Sequence, residues 1–217
     1  MPTWPIGVVH IVYESRGDIV AQAKAAAADG YAHIDPLLGA DPALLALPIG
    51  CPTAFPKPID TWCATPAPQA AIEGSWERAV RWWRAAPHAL LEPHASGVVN
   101  SLEAVRAFRE EVPGVRLLVD TGHVANWGGD PCELLDLADH IQLRQGRPGN
   151  TQLHVDDASG VVDFDAVFAR LHALDYQGKL SIEYFDLPEH GWPLADPEGW
   201  ARDLLARLRV AGPGGEG

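Results

Sequence analysis

Short apolar runs separated by longer amphipathic stretches recur along this chain, and eight of the runs read as strands. The first, residues 6–13 (IGVVHIVY), is β-branched and apolar, and the Ala-rich stretch 18–29 behind it stops at Gly30, as a helix does. YAHIDPL around His33 and Asp35 comes next, then an Ala/Leu segment at 41–47, PIGC at 48–51 and TWCATP from Thr61. Between Pro48 and Pro68 the prolines are too dense for an ordinary helix, because each lacks an amide donor and clashes with the preceding turn. From Ser75 the alternation is cleaner. Helical 75–86, strand 89–92, helical 101–111, strand 115–120 and helical 131–138 lead to strand 140–144, helical 163–174, strand 179–184 and a last helix over 197–208.

Strands alternating with helices predict a parallel α/β architecture, and eight of them predict closure into a compact (β/α)8 TIM barrel with shortened helices in its N-terminal half. The 217-residue length, below the roughly 250 residues typical of such barrels, agrees with that shortening. With 47% hydrophobic residues the chain can bury one core, so 1–209 is expected as a single domain and 210–217 (VAGPGGEG) as a disordered tail. A net charge of -13 repels nucleic acid and anionic membrane surfaces, and Arg144 with Arg147 is too little for a basic patch. Cys51, Cys63 and Cys132 are odd in number without a C-x-x-C spacing, so a reduced, cytoplasmic protein is expected. No run approaches the roughly 18 apolar residues of a membrane span, no N-terminal leader is evident, and no G-x-G-x-x-G nucleotide fingerprint is present.

Candidate chemistry gathers at the C-terminal ends of four runs: LLEPH with Glu92, RLLVDTGH with Asp120 and His123, DHIQLRQGRPG with His140 and Gln142, and KLSIEYF with Glu183. In a parallel barrel these ends meet at one mouth. Period two puts His140, Gln142 and Arg144 on one face of their strand and Ser181 with Glu183 on one face of theirs, while Ile182 and Tyr184 turn toward the helices. Buried acids need a partner, and a divalent cation is one. Three carboxylates and an amide oxygen form a hard, oxygen-rich set that favours manganese or magnesium, with cobalt or zinc as alternatives. Blander readings stand beside these. Asp120-Thr121-Gly122-His123 can be a capped turn, His140 a structural histidine, RPG at 147–149 a turn, and the histidines 94, 154, 172 and 190 surface residues. Trp62, Trp127 and Trp192 fall near strand ends where a sugar could stack, whereas Trp82 and Trp83 read as packing between helix and barrel.

LLEPH, LLVDTGH, HIQLRQGRPG and the closing VDFDAVFARLHALDYQGKLSIEYF resemble the xylose isomerase-like barrels of sugar isomerases and epimerases, a family that also includes the endonuclease IV type of DNA repair enzyme. The resemblance covers residues 90–185 well and the N-terminal third loosely. It implies a metal held by Glu92, Asp120, the residue at Gln142 and Glu183, where the family usually has His at the position of Gln142. His123 matches an Asp-x-x-His element beside the metal. Arg144 and Arg147 resemble residues that hold substrate oxygens, and Asp35, His10 and His154 are further pocket candidates. The implied chemistry is proton transfer next to a carbonyl through an enediolate, with Glu92 and Glu183 carrying the proton. That outcome is aldose–ketose isomerisation or epimerisation of a small sugar or sugar acid. A sugar-like substrate with no nucleic acid or membrane partner is expected, and homo-oligomerisation is left open. Two rivals remain: a barrel that binds a sugar without turning it over, suggested by Gln142, and an abasic-site endonuclease, disfavoured by the charge.

Overall fold

The computed structural model describes residues 4–52, 69–70, 75–188 and 192–211. Nine strands, β1 (Ile6–Val9), β2 (Ile34–Asp35), β3 (Gln69–Ala70), β4 (Leu90–Leu91), β5 (Leu117–Asp120), β6 (Ala138–Leu143), β7 (Gln145–Arg147), β8 (Asn150–Leu153) and β9 (Lys179–Ile182), alternate with α1 (Ile19–Ala28), α2 (Trp76–Ala85), α3 (Leu102–Glu111), α4 (Thr121–Asn126), α5 (Phe164–Ala173) and α6 (Pro197–Ala211). Seven of the strands form one parallel sheet in the order β2-β1-β9-β6-β5-β4-β3. A parallel bridge from Ile34 to Ile49 adds an eighth strand position outside β2. Apart from the separate β7–β8 hairpin and one break, consecutive strands in chain order are neighbours, from β1 through β2 to Ile49 and from β3 through β4, β5 and β6 to β9, and β9 pairs with β1. That pairing makes the architecture a TIM barrel with its seam between Ile49 and β3.

Local sequence explains most of the elements. Asp18, Ser75, Ser101 and Asp163 each cap a helix by accepting the backbone N–H of Ala21, Arg78, Ala104 or Ala166. Outward strand positions such as Val8, Ile34, Ile141, Leu180 and Ile182 are fully buried against the helix layer. Trp83 of α2 meets Phe108 of α3 edge to face at 5.7 Å and ties the two helices together, and Tyr184, just past β9, meets Trp200 of α6 at 5.7 Å and ties barrel to helix.

Several expected boundaries move. The first strand stops at Val9, and His10–Arg16 winds as 3-10 turns. The segment 41–47 is reduced to a 3-10 turn at Pro42–Leu44. Residues 131–138 do not make one helix: α4 takes the first part of the crossover, and the short remainder forms two 3-10 turns before β6 begins at Ala138. The hairpin of β7 and β8 has no counterpart in the sequence pattern, and it turns through Gly149 at φ 79°. TWCATP, with Trp62 and Cys63, lies outside the described residues, and the strand in that part of the chain is Gln69–Ala70. Helix α6 extends to Ala211, two residues into the expected tail, and the rest of that tail also lies outside the description. Among the described residues Cys51 and Cys132 are free thiols, and no helix is long and apolar enough to cross a membrane.

Candidate active site

Glu92 follows β4, Asp120 ends β5 and Glu183 follows β9, and the three place carboxylate oxygens within 4.8 Å of one another. Each is almost out of solvent, with side-chain exposures of 11%, 0% and 12% respectively. Burial and the neighbouring Asp120 push Glu92 up to about 8 although Arg144 opposes them. Glu183 is raised well above the ordinary carboxylate range, chiefly by burial; Arg144 works against this, while Asp120 and Glu92 add to it.

Arg144 stands among these acids. Its Nη2 donates to Asp120 Oδ2 at 2.5 Å and lies 3.0 Å from Glu183 Oε2, while its Nε donates to Asp120 Oδ1 at 3.0 Å. The guanidinium is fully buried, packs 4.7 Å over the Phe185 ring, and leaves Nη1 without a hydrogen-bond partner. Strand order explains the reach, because β6 runs between β5 and β9. The backbone is fixed as well: Arg144 N donates to Thr121 Oγ1, whose hydroxyl donates to Arg144 O. Asp120 does three jobs, ending the strand, capping α4 through His123 N at 3.0 Å, and chelating the guanidinium.

On the other side of Glu92 stands a pair of imidazoles. His123 Nε2 lies 3.6 Å from Glu92 Oε1, and the rings of His94 and His123 are 3.6 Å apart between centroids. Both are held neutral: burial brings His94 down to about 4 and His123 well below its ordinary value, and the Arg144 charge adds to each shift. Trp192 closes this side, 5.9 Å from His94 and 5.4 Å from Phe185.

The other expected site residues are placed as follows. Gln142 is fully buried on the same strand, and neither its Oε1 nor its Nε2 has a hydrogen-bond partner. Asp35 belongs to a separate polar layer inside the barrel, accepting from His140 Nε2 at 2.7 Å and from Cys51 N at 2.7 Å. Burial works against its ionisation, but His140 and His33 hold the carboxyl below its ordinary value. His33 reaches Ser181 Oγ at 3.1 Å, and Gly50 leaves the room, since a Cβ there would collide with Asp35 Oδ1. His10, whose ionisation burial disfavours, sits at the end of β1. Arg147 is exposed on the hairpin and bonds Ser159, and His154 is turned to Asp203 of α6 at 3.0 Å, so no described contact joins either to the acids. Trp127 caps the end of α4.

Two features of the site escape the sequence reading. His94 has no ligand spacing with the other histidines, yet its offset of two from Glu92 in an extended segment is a readable signal. Arg144 reads as a substrate contact, and its pairing with both acids depends on strand order, which carries no local mark.

The charge at the site favours a divalent cation. Fully ionised, the three acids would exceed the one guanidinium by two negative charges, which is why Glu92 and Glu183 are raised and what a divalent cation would offset; Gln142, paired in register with Asp120, adds a buried Oε1 without a partner.

Fold and acid cluster thus define a parallel eight-fold barrel with a candidate cation site at its C-terminal mouth. The chain belongs to the xylose isomerase-like TIM barrel family, whose sequence model matches residues 61–210. A search of curated proteins finds no match. Among solved structures the fold is similar to an Escherichia coli 3-keto-D-glucoside 4-epimerase (TM-score 0.64, 16% identity, covering 96% of this chain and 100% of that one). It is also similar to an L-ribulose 3-epimerase (TM-score 0.65, 15% identity, 96% and 94%). A third similar structure is a Methylomonas D-allulose 3-epimerase bound to D-allulose (TM-score 0.62, 18% identity, 97% and 98%).

Proposed function

We propose that the protein is a divalent-metal-dependent sugar isomerase or epimerase that moves a proton next to a carbonyl. The observation that carries this reading is the convergence of Glu92, Asp120 and Glu183 from three strands onto one buried point. The names of the three similar structures lend support, since each describes inversion at a carbon beside a ketone, and they favour epimerisation over aldose–ketose isomerisation.

Glu92, Asp120, Gln142 and Glu183 are the residues that would hold the ion. When bound, it would act as a Lewis acid toward the carbonyl and an adjacent hydroxyl oxygen. The carboxylates suit manganese or magnesium, and the imidazoles beside Glu92 bring cobalt or zinc into range. Glu92 and Glu183 divide the proton work, one taking the proton from the carbon beside the carbonyl and the other returning one. Return to the opposite face gives an epimer, and return to the neighbouring carbon gives the isomer. Arg144 Nη1 is a buried donor with no protein partner and suits the oxygen that gains negative charge, as His123 Nδ1, also buried and unpartnered, suits a substrate hydroxyl. Trp192 and Phe185 offer aromatic faces to the C–H side of a sugar.

The test is solvent deuterium incorporation into D-allulose, L-ribulose and D-fructose with manganese or cobalt present. Wild-type exchange lost in Glu183→Gln is the expected result, and wild-type exchange no faster than the variant's refutes the proton-transfer role. A second reading, a barrel that binds a sugar without turnover, draws on Gln142 and on the guanidinium between the acids. Binding of a ketose with no exchange at any metal would favour it. The net charge of -13 weighs against DNA as substrate.

A further inference from the structure

His94 is held by its own turn. Gly97 N donates to His94 O at 2.8 Å and closes a turn over 94–97, and inside that turn Ser96 N donates to His94 Nδ1 at 3.1 Å. A backbone amide can neither lose its proton nor rotate it away, so Nδ1 must present a lone pair; a proton there would meet the amide donor to donor. The Ser96 hydroxyl, 2.8 Å from the same nitrogen, is free to turn and agree with it. The imidazole is thereby neutral, with its one proton on Nε2. In this form His94 is a donor with no lone pair to spare for a metal, which leaves His123 as the imidazole of the pair that could reach one.

The ring borders the acid cluster. One of its nitrogens lies within 4.8 Å of a Glu92 oxygen and of a His123 nitrogen. It packs against the His123 ring at 3.6 Å between centroids, with Trp192 5.9 Å away, so its orientation is fixed by packing as well as by the turn. Among the described residues its hydrogen bonds run from Ser96 to Nδ1, and none engages Nε2. Arg144 occupies the side of the cluster toward Asp120 and Glu183, whereas the imidazole side of Glu92 carries a donor that has no protein acceptor. A sugar hydroxyl is such an acceptor, and a donor fixed in advance loses little freedom in meeting it.

We propose that the Nε2–H of His94 donates to a hydroxyl of the bound sugar beyond the two oxygens at the reacting carbons, which makes His94 a specificity-determining residue for polyhydroxy ketones over short keto acids. This rests on the sugar isomerase or epimerase reading above and narrows its substrate class. A keto acid that ends at the reacting carbons leaves the donor unpaired against the bound ligand, and that difference is what discriminates.

Calorimetric binding of D-allulose with Mn2+ present tests it, using wild type, His94→Phe and His94→Gln, each also against singly deoxygenated alluloses. His94→Phe keeps a ring against His123 and Trp192 but loses the donor, and should weaken D-allulose binding about fivefold or more. In solvent deuterium exchange it should raise KM more than it lowers kcat, as loss of a contact made in both ground and transition states requires. His94→Gln returns an N–H near the same place and should bind D-allulose more tightly than His94→Phe does. The analogue lacking the hydroxyl that His94 reads should bind wild type and His94→Phe alike, while the other analogues keep the difference. A wild-type to variant ratio that is the same with every analogue, or D-allulose binding within about twofold of wild type in His94→Phe, overturns the inference alone. Wild type that neither binds nor exchanges D-allulose, L-ribulose or D-fructose overturns the sugar reading and the inference with it. Should His94→Phe not fold, heteronuclear NMR of the wild-type histidine side chains decides. A proton on His94 Nε2 whose signal shifts as D-allulose saturates the site supports the proposal, and a proton on Nδ1, or a signal unmoved at saturation, refutes it.

Discussion

Replacing Glu92 by Gln removes one of three crowded negative charges at almost constant shape, and its main effect should be on how stability depends on pH. The Glu92 carboxyl has an ordinary value of 4.5 and is pushed to about 8 in the folded protein, by burial first and Asp120 second. Because the folded value lies above the unfolded one, the contribution of Glu92 is fully present below 4.5 and is lost as pH rises through about 8. At roughly 1.4 kcal/mol per pKa unit, this gap costs the metal-free protein on the order of 5 kcal/mol above that range and about 3 kcal/mol at neutral pH. The neutral amide of the Glu92→Gln variant carries no such penalty. It also relieves Glu183, which shares the repulsion, so the protons belong to the pair rather than to one residue. Urea denaturation with chelator present, at pH 5 and pH 8.5, checks this. His33 and His94, both held near 4 by burial, act in the opposite sense, since their contribution is lost as pH falls from 6.5 toward 4. That background is common to both proteins and largely cancels in the difference. Wild type should lose several kcal/mol more than Glu92→Gln between the two pH values. Curves that stay parallel within about 1 kcal/mol would refute the argument that the acids are crowded and uncompensated. Added Zn2+ or Mn2+ at pH 8.5 should raise wild-type stability more than the variant's, because Glu92 is one of the proposed ligands.

Two further predictions concern how the site is held. A Cβ on Gly122 would collide with Thr151 O and stand 2.7 Å from Arg144 Cγ, so Gly122→Ala must push the hairpin off α4, at an expected cost of about 2–3 kcal/mol by chemical denaturation. Unchanged stability would mean that the hairpin is not packed there. Asp35→Ala leaves His140 Nε2 and Cys51 N without their acceptor in a buried layer, and should cost about 2–5 kcal/mol; a loss under about 1 kcal/mol would show that the layer does not support the barrel.

Elements with a strong local signal are legible from the chain. Ser75, Ser101 and Asp163 announce their helices because a side-chain oxygen three residues before a free amide is a local bond. The segment 145–153 does not read as a hairpin, although Arg147-Pro148-Gly149 reads as a turn, because its strands are short and polar and are held from outside. Tyr184 supplies that hold, its hydroxyl donating to Leu153 O at 2.9 Å and accepting from Gln145 N at 3.2 Å. The DTGH segment shows its Asp as a cap or ligand, but α4 becomes visible only where Gly122 admits the backbone of the hairpin.

The sequence by itself determined which chemistry stands at the strand ends. Apolar period two and its termination are local, and Glu92, Asp120, Gln142 and Glu183 follow from them once the strands are parallel. Only the tertiary structure decided which of those side chains meet. Strand β6 lies between β5 and β9, although a hairpin and α5 separate it from the latter along the chain, so Arg144 reaches Asp120 on one side and Glu183 on the other. Pairing of β4 with β5 likewise brings His94, two residues beyond Glu92, against His123 in the first turn of α4. Those contacts are set by strand order and sheet curvature, which no window of the sequence contains, and they turn a row of strand-end acids into a site that already holds a cation of its own.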